Sequence, residues 1–253
     1  MTMINDGAGE TFGLRLSRGA RSLEAETGAM PGFDASGASL RRIGRSKAQV
    51  RPGAYRDGGK RAFDLVVVLC AALPVAFVVL VISLALMLSG QRPFYAQTRL
   101  GRQGRPFRMW KIRTMLPDAE EALAAHLDAD PEARAEWQHS QKLRHDPRIT
   151  PLGHFLRRSS LDELPQLFNV LRGEMALVGP RPMLPEQSAY YPGEEYYQMR
   201  PGLTGFWQTS ERNAASFAQR AEYDRSYYRA LSFATDLRVM LRTLLVVARG
   251  TGL

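Results

Sequence analysis

Two adjacent carboxylates, Asp162 and Glu163, lie in the segment Arg157-Arg158-Ser159-Ser160-Leu161-Asp162-Glu163-Leu164-Pro165. On spacing alone this is a helix start: Ser160 and Glu163 have the spacing of a capping box, and a helix tolerates Pro165 in its first turn. A helix start also gathers anions through its free N–H groups, and Arg157 and Arg158 add positive charge just before it. Two carboxylates where phosphates gather can divide the work. One attacks phosphorus as a covalent nucleophile. The other holds a hard cation such as Mg²⁺, which needs only one or two carboxylates besides phosphate oxygens. Arg181, in Gly179-Pro180-Arg181-Pro182, is a second candidate, because flanking prolines stiffen the loop and a guanidinium grips phosphate bidentately. A rigid turn with a solvated arginine is its ordinary alternative. Lys111, in Trp110-Lys111-Ile112-Arg113, is a third. On a strand Lys111 and Arg113 share a face and can meet one anion; an edge strand protected by cations is the alternative.

The elements that must position these groups follow from pattern. Residues 65–88 carry no charge, and Pro74 lies among them. About 20 apolar residues suffice to cross a bilayer, but proline breaks a helix interior. Lys60 and Arg61 precede the run, and Arg92, Arg99, Arg102, Arg105, Arg108, Lys111 and Arg113 follow it without an intervening acid. Positive charge marks the cytoplasmic side, so both ends carry the same mark. A helix that breaks near Pro74 and returns satisfies both flanks, whereas a straight span satisfies one. A buried soluble helix is the third reading of the run.

Downstream, residues 94–99 and 107–113 read as strands of a hairpin around Gly101-Arg102-Gln103-Gly104-Arg105-Pro106. Residues 118–143 read as helix with a break near Pro131. Leu161, Leu164, Leu167, Phe168 and Leu171 follow helical spacing up to Gly173. Val178 to Pro182 and Arg200-Pro201-Gly202-Leu203-Thr204-Gly205 read as two rigid loops. Leu237, Met240, Leu241, Leu244, Leu245 and Ala248 share one face of a basic C-terminal helix suited to a membrane surface or a partner; a core-facing helix explains that face equally well.

The 253 residues allow one sizeable domain with appendages. A net charge of +9 and a pI near 10.0 suit anionic lipid, phosphorylated substrates or nucleic acid. One cysteine, Cys70, excludes an intrachain disulfide, and with four scattered histidines it builds no zinc site. The apolar run starts too late for a cleaved signal peptide.

Taken in order, Lys60-Arg61-Ala62-Phe63-Asp64 before a proline-interrupted apolar run, Phe107-Arg108-Met109-Trp110-Lys111-Ile112-Arg113-Thr114-Met115, Ser160-Leu161-Asp162-Glu163-Leu164-Pro165-Gln166-Leu167, Val178-Gly179-Pro180-Arg181-Pro182 and Arg200-Pro201-Gly202-Leu203-Thr204-Gly205 resemble one family. It is that of the bacterial sugar transferases, the monotopic polyprenyl-phosphate phosphoglycosyl transferases, and within it the type that starts exopolysaccharide synthesis. The resemblance covers roughly Lys60 onward. It implies a re-entrant helix broken at the proline. It implies that Asp162 attacks the β-phosphate of a UDP-sugar and expels UMP, that Glu163 binds Mg²⁺ (or Mn²⁺), and that Lys111, Arg158 and Arg181 contact phosphate. Polyprenyl phosphate then takes the sugar phosphate. Glu211 stands where the family usually has Gly, Met175-Ala176 where it has Met-Ser, and Ala230-Leu231 where Asn-Trp is common.

The expected fold is therefore α+β and mainly helical: a monotopic membrane protein with a Pro-broken re-entrant helix, a small β-hairpin and a cytosolic catalytic domain. Its parts are a disordered basic tail (1–57), the membrane helix (58–90) and the transferase domain (91–253). The expected activity moves a sugar-1-phosphate from UDP-galactose or UDP-glucose, or alternatively a UDP-N-acetylhexosamine, to undecaprenyl phosphate at the cytoplasmic face of the bacterial inner membrane. Expected partners are these substrates, membrane lipid and, through the C-terminal helix, a second copy, but not nucleic acid. The rival of another class is a non-enzymatic, membrane-anchored basic binding protein. It explains charge and anchor but not the carboxylates beside Arg158.

Overall fold

The structure, a computed structural model, describes residues 53–140, 143–210 and 217–248. Most of the expected tail, and Glu211, lie outside the described residues. A π-helical turn, Tyr55–Gly59, leads into helix α1, Lys60–Leu88. Tyr55, which lies before the 57/58 boundary that composition suggests, is tied down: its hydroxyl donates to buried Asp236 at 2.7 Å. Tyr55 to Leu88 is long and apolar enough to cross a membrane, the one such helix among the described residues. Leu69, Leu73, Phe77, Leu80 and Leu84 along it are exposed. That is incompatible with a soluble core helix.

Helical structure runs through Pro74 without interruption, so the expected break is not a gap in the helix. Both ends of α1 nevertheless pack on the same domain. Arg61 donates to the carbonyls of Val170 and Leu171, and buried Val68 joins the main core. At the far end, Leu86 is buried against Ile112 and Leu156. The least exposed positions between them (Ala71 and Ala72, Val75, Val78 and Val79, Ile82 and Ser83) continue one helical stripe, from which Pro74 is absent.

The hairpin forms as expected. Strands β1, Phe94–Leu100, and β2, Pro106–Ile112, pair antiparallel with Tyr95 opposite Lys111 and Arg99 opposite Phe107. The helix expected over 118–143 is two, α2 (Ala119–Ala129) and α3 (Pro131–Ser140), divided at Asp130, since a residue preceding proline is pushed out of helical geometry. Helix α4, Pro151–Arg158, is capped by the Thr150 hydroxyl on Gly153 N–H at 2.9 Å. A 3₁₀ turn at Leu161–Glu163 and helix α5, Gln166–Arg172, follow, and Gly173 closes α5 with a left-handed φ of 81°.

The two proline–glycine segments were expected as loops only. Instead Ala176–Val178 (β3) and Gly202–Thr204 (β4) pair in parallel. Glycine makes this possible: a Cβ on Gly202 would overlap the Gly179 backbone nitrogen. Gly179 N–H donates to Thr204 O and Gly202 N–H to Pro180 O, both at 2.8 Å, so the two loops are one unit. Helices α6 (Glu195–Gln198), α7 (Phe217–Ala230) and α8 (Phe233–Ala248) follow among the described residues. Helix α8 buries Thr235, Asp236 and Val239 and exposes Phe233, Leu237, Leu241, Leu244 and Leu245. The core-facing reading of its leucine face is thus overturned; Met240 alone of that face packs on the core.

Candidate active site

Lys111 brings the two carboxylates together. Its ammonium lies 2.8 Å from Glu163 Oε1 and 3.6 Å from Asp162 Oδ2. The capping box expected between Ser160 and Glu163 does not form. Ser160 adopts a left-handed φ of 56°, whereas a capping serine needs extended geometry, and no side-chain cap bond is made. The strain of a non-glycine residue in that region is of order 1–3 kcal/mol, and it sits on the residue that turns the chain from α4 into the dyad. The anion-collecting helix start is likewise replaced by a three-residue 3₁₀ turn. Positive side chains, rather than helix N–H groups, supply the charge here.

Asn169 holds this arrangement. Its fully buried amide accepts from Trp110 N–H at 3.1 Å and donates to Arg108 O at 2.8 Å and to Glu174 Oε2 at 2.6 Å. It satisfies the open edge of β2 on either side of Met109 and thereby locks α5, which follows the dyad, to the strand that carries Lys111. Sequence reasoning passed over Asn169, and nothing in its spacing distinguishes it from a helix-surface residue.

Asp162 is buried and Glu163 half-buried. Burial is the main cause that raises the Asp162 pKa; Glu163 raises it further, and Lys111 and Arg157 pull it down without offsetting the rise. Arg157 is therefore the arginine whose charge reaches the dyad. It is anchored by donating Nε–H to Thr114 Oγ1 at 2.9 Å. Arg158, the residue singled out from sequence, is exposed at the end of α4. Arg181 is not among the groups that meet at Lys111. It stacks on Trp207, with its guanidinium carbon 5.4 Å from the ring centroid, in a second cationic cluster.

Among the described residues no three His, Cys, Asp or Glu side chains gather as a metal cage. The donor set still fits Mg²⁺. It is all oxygen, it offers two adjacent carboxylates, and this ion keeps waters and substrate phosphates as its remaining ligands.

An oxygen-donor dyad beside fixed cations, next to an exposed apolar helix, fits group transfer at a membrane. The chain belongs to the bacterial sugar transferase family, whose profile matches residues 55–250. It is 43% identical over 195 residues to the UDP-galactose-lipid carrier transferase of Erwinia amylovora, covering 76% of this chain and 41% of the relative. It is 40% identical over 203 residues to the undecaprenyl-phosphate galactose phosphotransferase of Salmonella typhimurium, covering 76% of this chain and 41% of that protein. The exopolysaccharide production protein ExoY of Sinorhizobium fredii is 39% identical over 206 residues, covering 79% of this chain and 91% of ExoY. The chain thus spans about two fifths of the length of the first two relatives and most of the third.

Proposed function

We propose that this protein is a phosphoglycosyl transferase that moves a sugar-1-phosphate from a UDP-sugar to undecaprenyl phosphate and so starts exopolysaccharide synthesis. The observation that carries the reading is the convergence of Lys111 on Asp162 and Glu163 in a chain of this family. An Asp162 oxygen attacks the β-phosphorus, the bond to the bridging oxygen breaks, and UMP leaves with that oxygen. A phosphate oxygen of the lipid then attacks the same phosphorus, the aspartyl bond breaks, and the lipid-diphosphate sugar is released. Lys111 and Arg157 offset the negative charge around the buried nucleophile, so the aspartate can approach an anionic substrate. Glu163 would hold Mg²⁺, which when bound neutralises the diphosphate. UDP-galactose or UDP-glucose is the proposed donor, and a UDP-N-acetylhexosamine the alternative.

The lipid substrate places the dyad at a membrane, the cytoplasmic face of the inner membrane. We infer that α1 enters the leaflet and leaves on the same side. Packing of both its ends on one domain supports this, because Val68 and Leu86 would stand about 27 Å apart along a straight helix, nearly a bilayer core. Purified protein, Mg²⁺, undecaprenyl phosphate and a panel of UDP-sugars test the activity: UMP release with one sugar supports the reading. Salt-sensitive nucleic-acid binding without turnover would favour a basic binding protein instead.

A further inference from the structure

Helix α8 has three faces. Thr235, Asp236 and Val239 turn into the domain and are buried. Phe233, Leu237, Leu241, Leu244 and Leu245 are 40–66% exposed. At about 100° per residue these five fill a continuous arc of about 120°. Arg238 and Arg242, both exposed, follow along one edge of that arc. An exposed apolar stripe of this length marks an interaction surface. Arginines along its edge suit the boundary between acyl chains and headgroups, where their stems lie in apolar surroundings and their charge does not.

The start of the stripe identifies what covers it. Phe233 packs edge-on against Phe63, in the first turn of α1, with ring centroids 5.1 Å apart, and against Tyr55 at 5.9 Å. From the buried face, Asp236 accepts from Lys60 and from Tyr55, both at 2.7 Å. Helix α8 is therefore fixed, by both its apolar and its buried face, to the point where the apolar helix begins. Its stripe meets the exposed surface that Val66, Leu69 and Leu73 carry along α1. A second copy of the chain fits this face less well. Asp236 is the only acid in α8 and already holds Lys60, so pairing two stripes would bring four arginines together with no acid on either helix to offset them. Headgroup phosphates supply that offset.

We propose that α8 lies in the plane of the membrane surface, with its leucine stripe among the acyl chains and Arg238 and Arg242 at the headgroup phosphates. It is a second lipid contact beside α1, about 24 Å long. Because Asp236 holds Lys60, a helix lying flat on the leaflet also steadies the angle at which α1 enters it. This rests on the leaflet reading of α1 given above.

The test places a nitroxide on the full-length protein, one copy per nanodisc of phosphatidylethanolamine and phosphatidylglycerol. The label sits in turn on Leu241→Cys, Arg242→Cys, Leu244→Cys and Leu245→Cys, each combined with Cys70→Ala. Circular dichroism checks that each variant folds. Collision with oxygen, which concentrates in lipid, and with a water-soluble nickel chelate gives the depth of each label. The three leucine positions should lie about 5–10 Å below the headgroup boundary, and the Arg242 position at or above it. Leucine labels that meet the chelate as freely as the Arg242 label overturn the proposal. Leucine labels shielded from both reagents are covered by protein and overturn it too. So does shielding that appears only with two copies per disc, which assigns the stripe to self-association. A label on native Cys70, exposed on α1, is the reference. If the chelate reaches it, the leaflet reading of α1 falls, while the α8 scan still decides the position of α8. Cys70 in lipid with all α8 labels in water refutes the present proposal alone.

Discussion

Asn169→Ala removes a side chain that reaches neither substrate nor dyad, and it should damage both stability and turnover. The substitution leaves Trp110 N–H and Arg108 C=O without their partner at the buried seam between β2 and α5. Each unsatisfied buried group costs about 1–3 kcal/mol, so the loss is about 2–6 kcal/mol. At about 2–4 °C per kcal/mol for a domain of this size, Tm should fall by roughly 4–24 °C. Lys111 follows Trp110 directly, so its ammonium loses its fixed distance to Glu163 and Asp162. A displacement of about 1 Å can cost 10²-fold in rate. Scanning fluorimetry in detergent reads the first effect, and kcat from UMP release well below the new Tm reads the second. Asn169→Asp is the companion variant: it still accepts from Trp110 but loses both donors and sets a carboxylate beside Glu174. Unchanged Tm would show that the three hydrogen bonds are energetically idle. A lowered Tm with wild-type kcat would show that Asn169 supports the fold without positioning Lys111.

Other outcomes follow from the same geometry. Asp162→Asn should abolish turnover, and mass spectrometry of wild type quenched with UDP-sugar should find the phosphosugar on Asp162; substantial activity in the variant would reject the nucleophile. Because the folded-state Asp162 pKa is raised, the folded protein holds an extra proton just above the ordinary carboxylate range. Stability should therefore fall as pH rises through that window, and Asp162→Asn should remove this fall in pH-dependent Tm measurements. Chelator should stop turnover and Mg²⁺ or Mn²⁺ restore it, with a higher metal requirement in Glu163→Gln; full activity in chelator would exclude the metal role. Gly202→Ala should lower Tm and yield by driving β4 off Gly179, which melting of the purified variant would measure.

What the sequence reveals is set by the range of the interaction that matters. The hairpin, the α2–α3 break and the Gly173 terminus are local, and turn residues or a proline announce them. Ser160 misleads for the same reason: its spacing to Glu163 is that of a cap, but Lys111, 52 residues away in sequence, takes the glutamate. Arg157 and Arg158 cannot be ranked from spacing, because the choice depends on Thr114 accepting from Arg157. The β3–β4 pairing is invisible because proline and glycine argue against strands, and the close backbone approach that glycine permits is a tertiary fact. Arg99 and Arg220 read as ordinary surface cations until the loop between Gly179 and Pro182 folds against them.

The contacts of α1 tie the apolar helix to the elements that carry the dyad. Arg61, one residue after the start of α1, donates to the carbonyls of Val170 and Leu171 at 2.6 and 3.0 Å. These groups lie in the last turn of α5, where free carbonyls and the helix dipole favour a cation. At its other end α5 begins three residues after Glu163. Seven residues of helix measure about 10 Å, so the dyad is held by one short rigid rod from the point where the membrane helix begins. Leu86, near the other end of α1, packs on Ile112, the residue after Lys111, and on Leu156, the residue before Arg157. Each end of the apolar helix thus holds one side of the dyad. With α1 in a leaflet as proposed, its depth would set the height of Asp162, and a soluble truncation lacking α1 would lose both supports of that carboxylate.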